Sequence, residues 1–285
     1  MSTIKKIILS VLGIIIVIPL FAFIAFRIWQ PQMFETAVID TVAPNLPATL
    51  GTQAVLVYSK TSGGFRHSWS IDAANNMIKK FAVDNHWQVF YTENAAVFND
   101  AQLAHFAVVV WNNATGAALS DAQRLSFQQW LEAGGGYVGL HAAGDGSHAD
   151  WDWYTDEVIM APYNQHTLLP DHAPEASVHT ENSAHPATAH LPKQWKRTEE
   201  WYAWHKNPRD AGATILVTVD ESSYVPGAAS MGDDHPVVWS HTIGKGRVFY
   251  SAFGHYAKAY EDNLLAAMME QGITWAGRLE QPAGH

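Results

Sequence analysis

The longest uninterrupted apolar stretch comes first. Ile7 to Phe26 carries no charge and is broken only by Ser10, Gly13 and Pro19, a length that suits a helix crossing a bilayer. Lys5 and Lys6 precede it and Trp29 closes it, so the positive-inside rule predicts a cytoplasmic amino terminus with the remainder exported. Ala25 is preceded two positions earlier by Phe23, a poor A-x-A-like cleavage site, which favours an uncleaved anchor over a signal peptide. The expectation is a single-pass protein of the inner or cytoplasmic membrane. Residues 1–29 would be the anchor, with the following domain on the periplasmic or extracellular side. Residues 30–52, with Pro31, Pro44 and Pro47, read as a linker.

Beyond residue 52 short apolar runs alternate with amphipathic ones. Ala54–Tyr58, Trp87–Tyr91, Phe106–Trp111 and Tyr137–Leu140 read as buried strands, the third apolar throughout and so central. Ser68 opens a helix to about Asn85, with Ile71, Ala74, Ile78 and Phe81 on one face. Ser120 with Gln123 forms a capping box for a second helix, which stops at Gly134–Gly136. That alternation predicts a parallel sheet covered on both faces. After Asp150 the pattern loosens. Residues 151–160 suit a short helix, Lys196–Trp204 alternates like one strand, and Thr214–Val219 is a buried strand. Val237–His241 and Arg247–Ala252 flank a glycine-bearing hairpin turn, and Asn263–Trp275 closes the chain as an amphipathic helix.

Composition narrows the chemistry. The 285 residues include no cysteine, which removes disulfides, thiolate metal sites and a cysteine nucleophile. The net charge is −10 although residues 1–29 carry three bases and no acid, so the domain is a poor partner for nucleic acid. Twelve tryptophans and fifteen histidines suit an amphipathic ligand such as a sugar. No G-x-S-x-G elbow occurs, which argues against a Ser-His-Asp triad.

His141 stands at the carboxyl end of a predicted strand, where open α/β sheets bind ligands, and small residues follow it. Asp145 is near enough along the chain to orient one ring nitrogen. Glu200 and Tyr202 point to one face if residues 196–204 are a strand, and a carboxylate among histidines suits a general base or a metal ligand. His141, Glu200 and Asp145 are thus the candidate catalytic residues. Ser59, Lys60, Phe65, Arg66 and His67, on the loop after the first strand, join Tyr202, Trp239 and His255 as candidate substrate contacts. His185 and His235 each precede proline, which stiffens them. With His141 and Glu200 they form a candidate set for a divalent metal, Zn or Mn.

Several segments, in order, resemble the trehalose-utilisation ThuA-like family: VYSKTSGGFRH, Phe98–Leu103, GGGYVGLHAAGD, EEWY, TVDESSY and DDHPVVWSHTIGKGRVFYSAFGH. The resemblance assigns residues 53–279 to one α/β domain. It implies a flavodoxin-like three-layer sandwich with a mainly parallel sheet, as in class I glutamine amidotransferases. His141 would lie where those enzymes carry their cysteine, so glutaminase chemistry is out. It also implies that His67, His141, Asp145, Glu200, His235 and His255 line one pocket, and that the substrate is a sugar. The expected activity is conversion of a 3-keto-glycoside or disaccharide by histidine–carboxylate acid–base chemistry, metal-assisted or not. The alternative is a non-catalytic carbohydrate-binding or accessory module, and a homo-oligomer is a further expectation. The family implies no membrane anchor. Met160-Ala161-Pro162 stands where it would have a glycine-containing turn, which leaves the position of His166 open.

Overall fold

The computed structural model describes residues 3–280. Helix α1 (Thr3–Trp29) precedes the domain. Strand β1 (Ala54–Tyr58) and the short β2 (Thr61–Ser62) lead to α2 (Ser68–Asn85), β3 (Val89–Thr92), α3 (Asp100–Leu103) and β4 (Phe106–Asn112). Then come β5 (Thr115–Gly116), α4 (Asp121–Ala133), β6 (Gly136–Leu140), β7 (Tyr163–His166), β8 (Glu175–Thr180), β9 (Gln194–Thr198) and β10 (Tyr202–Trp204). Strands β11 (Thr214–Asp220), β12 (Pro236–Ile243) and β13 (Gly246–Ser251) and helix α5 (Asn263–Gly277) complete the chain.

One nine-stranded sheet, in the order β3-β1-β4-β6-β13-β12-β11-β8-β9, organises the domain. From β3 to β13 every pairing is parallel; from β13 to β9 every pairing is antiparallel. The α/β class therefore holds, but the sheet is mixed rather than mainly parallel. The antiparallel half follows from the glycine turn at Gly244, whose φ of 56° lets β12 fold straight back as β13 without a crossover helix.

The parallel half is a three-layer sandwich. On one face α5 lies on β6 and β13 and beside α2; Gly272 and Gly277 let it approach Phe249 and Val108 closely. On the other, Phe127 of α4 packs edge-on to Phe98 and Tyr137. The Ser120–Gln123 capping box is formed, with bonds of 2.9 and 3.4 Å, and Gly134 caps the same helix at φ 133°. Trp111 and Phe249 are buried between the layers, each contributing about 2–3 kcal/mol of hydrophobic stabilisation.

Two readings of the chain are corrected. Among the described residues no helix is long and apolar enough to cross a membrane, which overturns the expected N-terminal transmembrane anchor and the single-pass, exported location built on it. The helix contains Pro19 and Arg27. Its end is fastened to the domain. Trp29 stacks on Trp69 at 5.7 Å and meets Phe65 edge-on, and the Gln30 amide pairs with the backbone of Arg66 at 2.8 and 3.1 Å. The second correction concerns Lys196–Trp204, which is two strands rather than one. Strand β9 ends at Thr198, the chain turns through Glu199–Trp201, and β10 joins β7 in a separate ribbon.

Candidate functional site

The site lies at the carboxyl ends of the parallel strands. His141 follows directly on β6 with φ 45°, a left-handed conformation costing a non-glycine residue of order 1–3 kcal/mol. Its surroundings enforce it. The Tyr250 hydroxyl donates to the His141 carbonyl at 2.8 Å, and a Cβ on Gly144 would stand 2.5 Å from that hydroxyl, so the turn is built closely against the tyrosine. His141 Nδ1–H donates to the carbonyl of Ala252 at 2.7 Å, which leaves Nε2 facing the other site residues. Asp145, expected to orient that ring, instead caps the next turn by accepting from the Ser147 amide at 2.8 Å.

Glu200 is the centre of the cluster. Its Oε1 lies 2.6 Å from His172 Nε2 and 3.2 Å from His166 Nδ1; its Oε2 lies 3.1 Å from His255 Nδ1 and 3.3 Å from His141 Nε2. The Tyr202 hydroxyl reaches His141 Nε2 at 3.1 Å. His67, immediately before α2, is buried with Nδ1 unpartnered, and its ring stands edge-on to His141 and to His255.

The surrounding loops hold these groups in place. Ser70 of α2 donates to the His255 carbonyl at 2.5 Å. Glu199, buried and paired with Arg197 at 2.7 Å, accepts from the Gly254 amide at 3.2 Å. His235 uses both nitrogens, one on the Tyr202 carbonyl at 2.7 Å and one on Glu221 at 2.8 Å, so it positions β10 rather than lining the pocket.

Burial opposes charge on Glu200, yet hydrogen bonds from His141, His172 and His255 outweigh it and hold the carboxyl far below the usual range. For His172 the hydrogen bond to Glu200 outweighs burial and raises the pKa. His255 is lowered, chiefly by burial, and His67 is lowered well below the ordinary value by burial and by His141 and His255. Burial raises Asp145 against the pull of His148 and Ser147.

Above the cluster opens a cavity of about 460 Å³, walled by Trp29, Met33, Phe65, Trp69, Tyr163 and Tyr202 and floored by Asp145, His166, His172, Glu200 and His255. The structure thus brings together His67, His141, Asp145, Glu200, Tyr202, His255 and Phe65. It places other candidates elsewhere. Lys60 pairs with Asp40 and donates to the Val38 carbonyl at 2.8 Å, Arg66 pairs with Glu93 at 2.5 Å, and Ser59 is buried with its amide on Thr92. Trp239 is a core residue donating to the Ile159 carbonyl at 2.9 Å. His185 packs on Trp275 and Phe249 under α5. The proposed metal quartet of His141, His185, His235 and Glu200 therefore does not converge; His67 and His255 stand where His185 and His235 were expected.

His172, Tyr163 and the Trp29–Met33 wall escaped sequence reasoning. His166 lies in the site, 3.2 Å from Glu200, and Met160 itself takes the left-handed conformation, φ 62°, that a glycine would supply.

The chain belongs to the ThuA family, described by trehalose utilisation, whose model matches residues 54–276. Among solved structures it is similar to a ThuA-like protein from Bacteroides uniformis, at 22% identity and TM-score 0.69, covering 82% of this chain and 95% of that one. A second, from Parabacteroides merdae, is 16% identical with TM-score 0.62, over 82% and 93% of the two chains. The fold also recurs in a β-galactosidase from Rahnella sp. R3, at 14% identity and TM-score 0.52, over 81% of this chain and 32% of the enzyme. No curated protein matches.

Proposed function

We propose that this domain is an enzyme that converts an oxidised sugar, a 3-keto-glycoside or disaccharide, by acid–base chemistry. The observation that carries the reading is the buried Glu200 carboxylate, with four imidazoles within 3.3 Å, on the floor of an aromatic-walled cavity. Aromatic faces suit the apolar faces of a pyranose, and the family's trehalose-utilisation description supports a carbohydrate. A ketone acidifies the adjacent C–H, so elimination needs a base for that proton and an acid for the departing glycosidic oxygen. Two groups lining the cavity have environments that separate these roles. Asp145, with one oxygen bonded to Ser147, takes the proton as the C–H bond breaks. His172, whose bond to Glu200 favours its protonated form, donates to the leaving oxygen as the C–O bond breaks. The products are an enone and a free sugar or alcohol, with no redox change. Glu200 sets the charge and orientation of the imidazoles.

The test is product analysis by NMR with 3-keto-glycosides and their unoxidised parents. Turnover of the keto sugars alone is expected, reduced by about a hundredfold or more in Asp145→Asn and His172→Gln. Saturable binding without turnover in the wild type would instead identify a sugar-binding module, and equal turnover of both substrate sets would remove the role of the ketone.

A further inference from the structure

We infer that His67, His141, His255 and Glu200, whose ligand atoms lie within 4.8 Å of one another beneath the cavity, form a site for one divalent first-row transition ion. Zinc and manganese are its leading occupants. Three observations point to it.

The first is spacing. His141 Nε2 to His255 Nδ1, His141 Nε2 to Glu200 Oε2, and His255 Nδ1 to Glu200 Oε2 are 3.3, 3.3 and 3.1 Å. A tetrahedral ion with bonds of 2.0–2.1 Å needs ligand–ligand edges of about 3.3 Å. The second is the set of ring nitrogens left over. His141 Nδ1–H is committed to the Ala252 carbonyl, so Nε2 is the nitrogen that faces the Glu200 carboxylate at 3.3 Å. His67 is a buried ring with Nδ1 unpartnered. One cation shared by the four residues gives both rings a partner.

The third observation is the support around the donors. A ring N–H held by a backbone carbonyl, and a carboxylate whose other oxygen is held by His172 at 2.6 Å, are the outer contacts that orient metal ligands. Imidazole with one carboxylate suits zinc or manganese better than the oxygen-seeking magnesium or calcium. The site does not depend on the identity of the substrate, so it can stand or fall apart from the sugar chemistry.

The experiment is calorimetric titration of the chelator-treated, tag-free full chain with ZnCl2 and with MnCl2, and absorption spectroscopy with CoCl2. One saturable site is expected for zinc or manganese, with cobalt giving the visible bands of a nitrogen–oxygen site. His255→Ala and Glu200→Gln should weaken binding by about a hundredfold or more, whereas His179→Ala, an exposed histidine outside the cluster, should bind as wild type. Saturating zinc should raise the melting temperature of the wild type and of His179→Ala but not of His255→Ala. Circular dichroism verifies folding, and if neither cluster variant folds, the wild-type titration and cobalt spectrum decide. Absence of a saturable site in the folded wild type, or equal binding in folded cluster variants, overturns the assignment.

Discussion

At the scale of single residues, His141 shows how position and chemistry are coupled. It sits at φ 45° at the end of a buried strand, and its carbonyl and Nδ1 are both committed to neighbours. Only Nε2 is left to act. His141→Gln keeps approximate size and a polar tip, so the melting temperature should move by no more than the equivalent of about 1–2 kcal/mol, while turnover falls by a hundredfold or more. A variant that melts far lower, or works normally, would make the residue structural. Gly144→Ala tests the turn itself. The added Cβ would stand 2.5 Å from the Tyr250 hydroxyl, so a loss of about 1–3 kcal/mol is expected from overpacking; denaturant unfolding with no change in midpoint would refute the close approach. His141 was legible because a strand followed by small residues is a local pattern. Its partner was not. The Ala252 carbonyl lies 111 residues away, and nothing local distinguishes it from Asp145.

At the scale of elements, the ribbon of β7 and β10 carries half of the site, and it was the part least visible in the chain. Residues 196–204 alternate through both strands, so the period cannot reveal the turn at Glu199. That turn depends on the buried Arg197–Glu199 pair and on the Trp201 indole donating to the Pro174 carbonyl at 2.9 Å, both tertiary contacts. Strand β8, by contrast, alternates regularly, with Ala176, Val178 and Thr180 buried; the histidines and prolines around it obscured the signal. The ribbon hangs on Glu221 through His235. Burial works against ionised Glu221, but its bond to His235 and those to Met231 and Ser230 prevail and bring the carboxyl to about 2. A carboxyl lowered on folding stabilises above its ordinary pKa near 4.5, and that contribution is lost as pH falls toward 2. After discounting for solvent screening it amounts to about 1–2 kcal/mol. Glu221→Gln should lower stability at pH 7 by this amount and flatten the acid limb of the profile. An unchanged acid limb would mean that the pair is not what holds β10.

At the scale of the whole molecule, the two ends of the parallel strands have separate tasks. The carboxyl ends gather the imidazoles; the opposite side, under α5, buries His185 against Trp275 and Phe249. Burial, aided by Arg247, lowers His185 to about 4. The unfolded chain takes a proton near pH 6.5 and the folded one only near pH 4, so stability is complete above 6.5 and falls as pH drops through that window. The effect is about 1–2 kcal/mol once solvent screening is allowed for. His185→Gln should abolish that slope in melting temperature between pH 6.5 and 4; a retained slope would place its origin elsewhere. The strand–helix alternation of the parallel half and the hairpin of the antiparallel half were readable from local periodicity. The membrane anchor expected from apolarity was not borne out in the described residues, and the docking of Trp29 on Trp69 and Phe65 at the cavity mouth had no local signature.

The central claim is that the Glu200-centred cluster performs chemistry rather than merely filling the core. Replacing Glu200 by glutamine preserves its shape and removes the charge that four imidazoles face. The measurement is turnover of a 3-keto-glycoside by wild type and Glu200→Gln, with melting temperature recorded on the same preparations. The account predicts a loss of about a hundredfold or more in turnover, with a melting-temperature shift of only a few degrees. Wild-type turnover in the folded variant would contradict it.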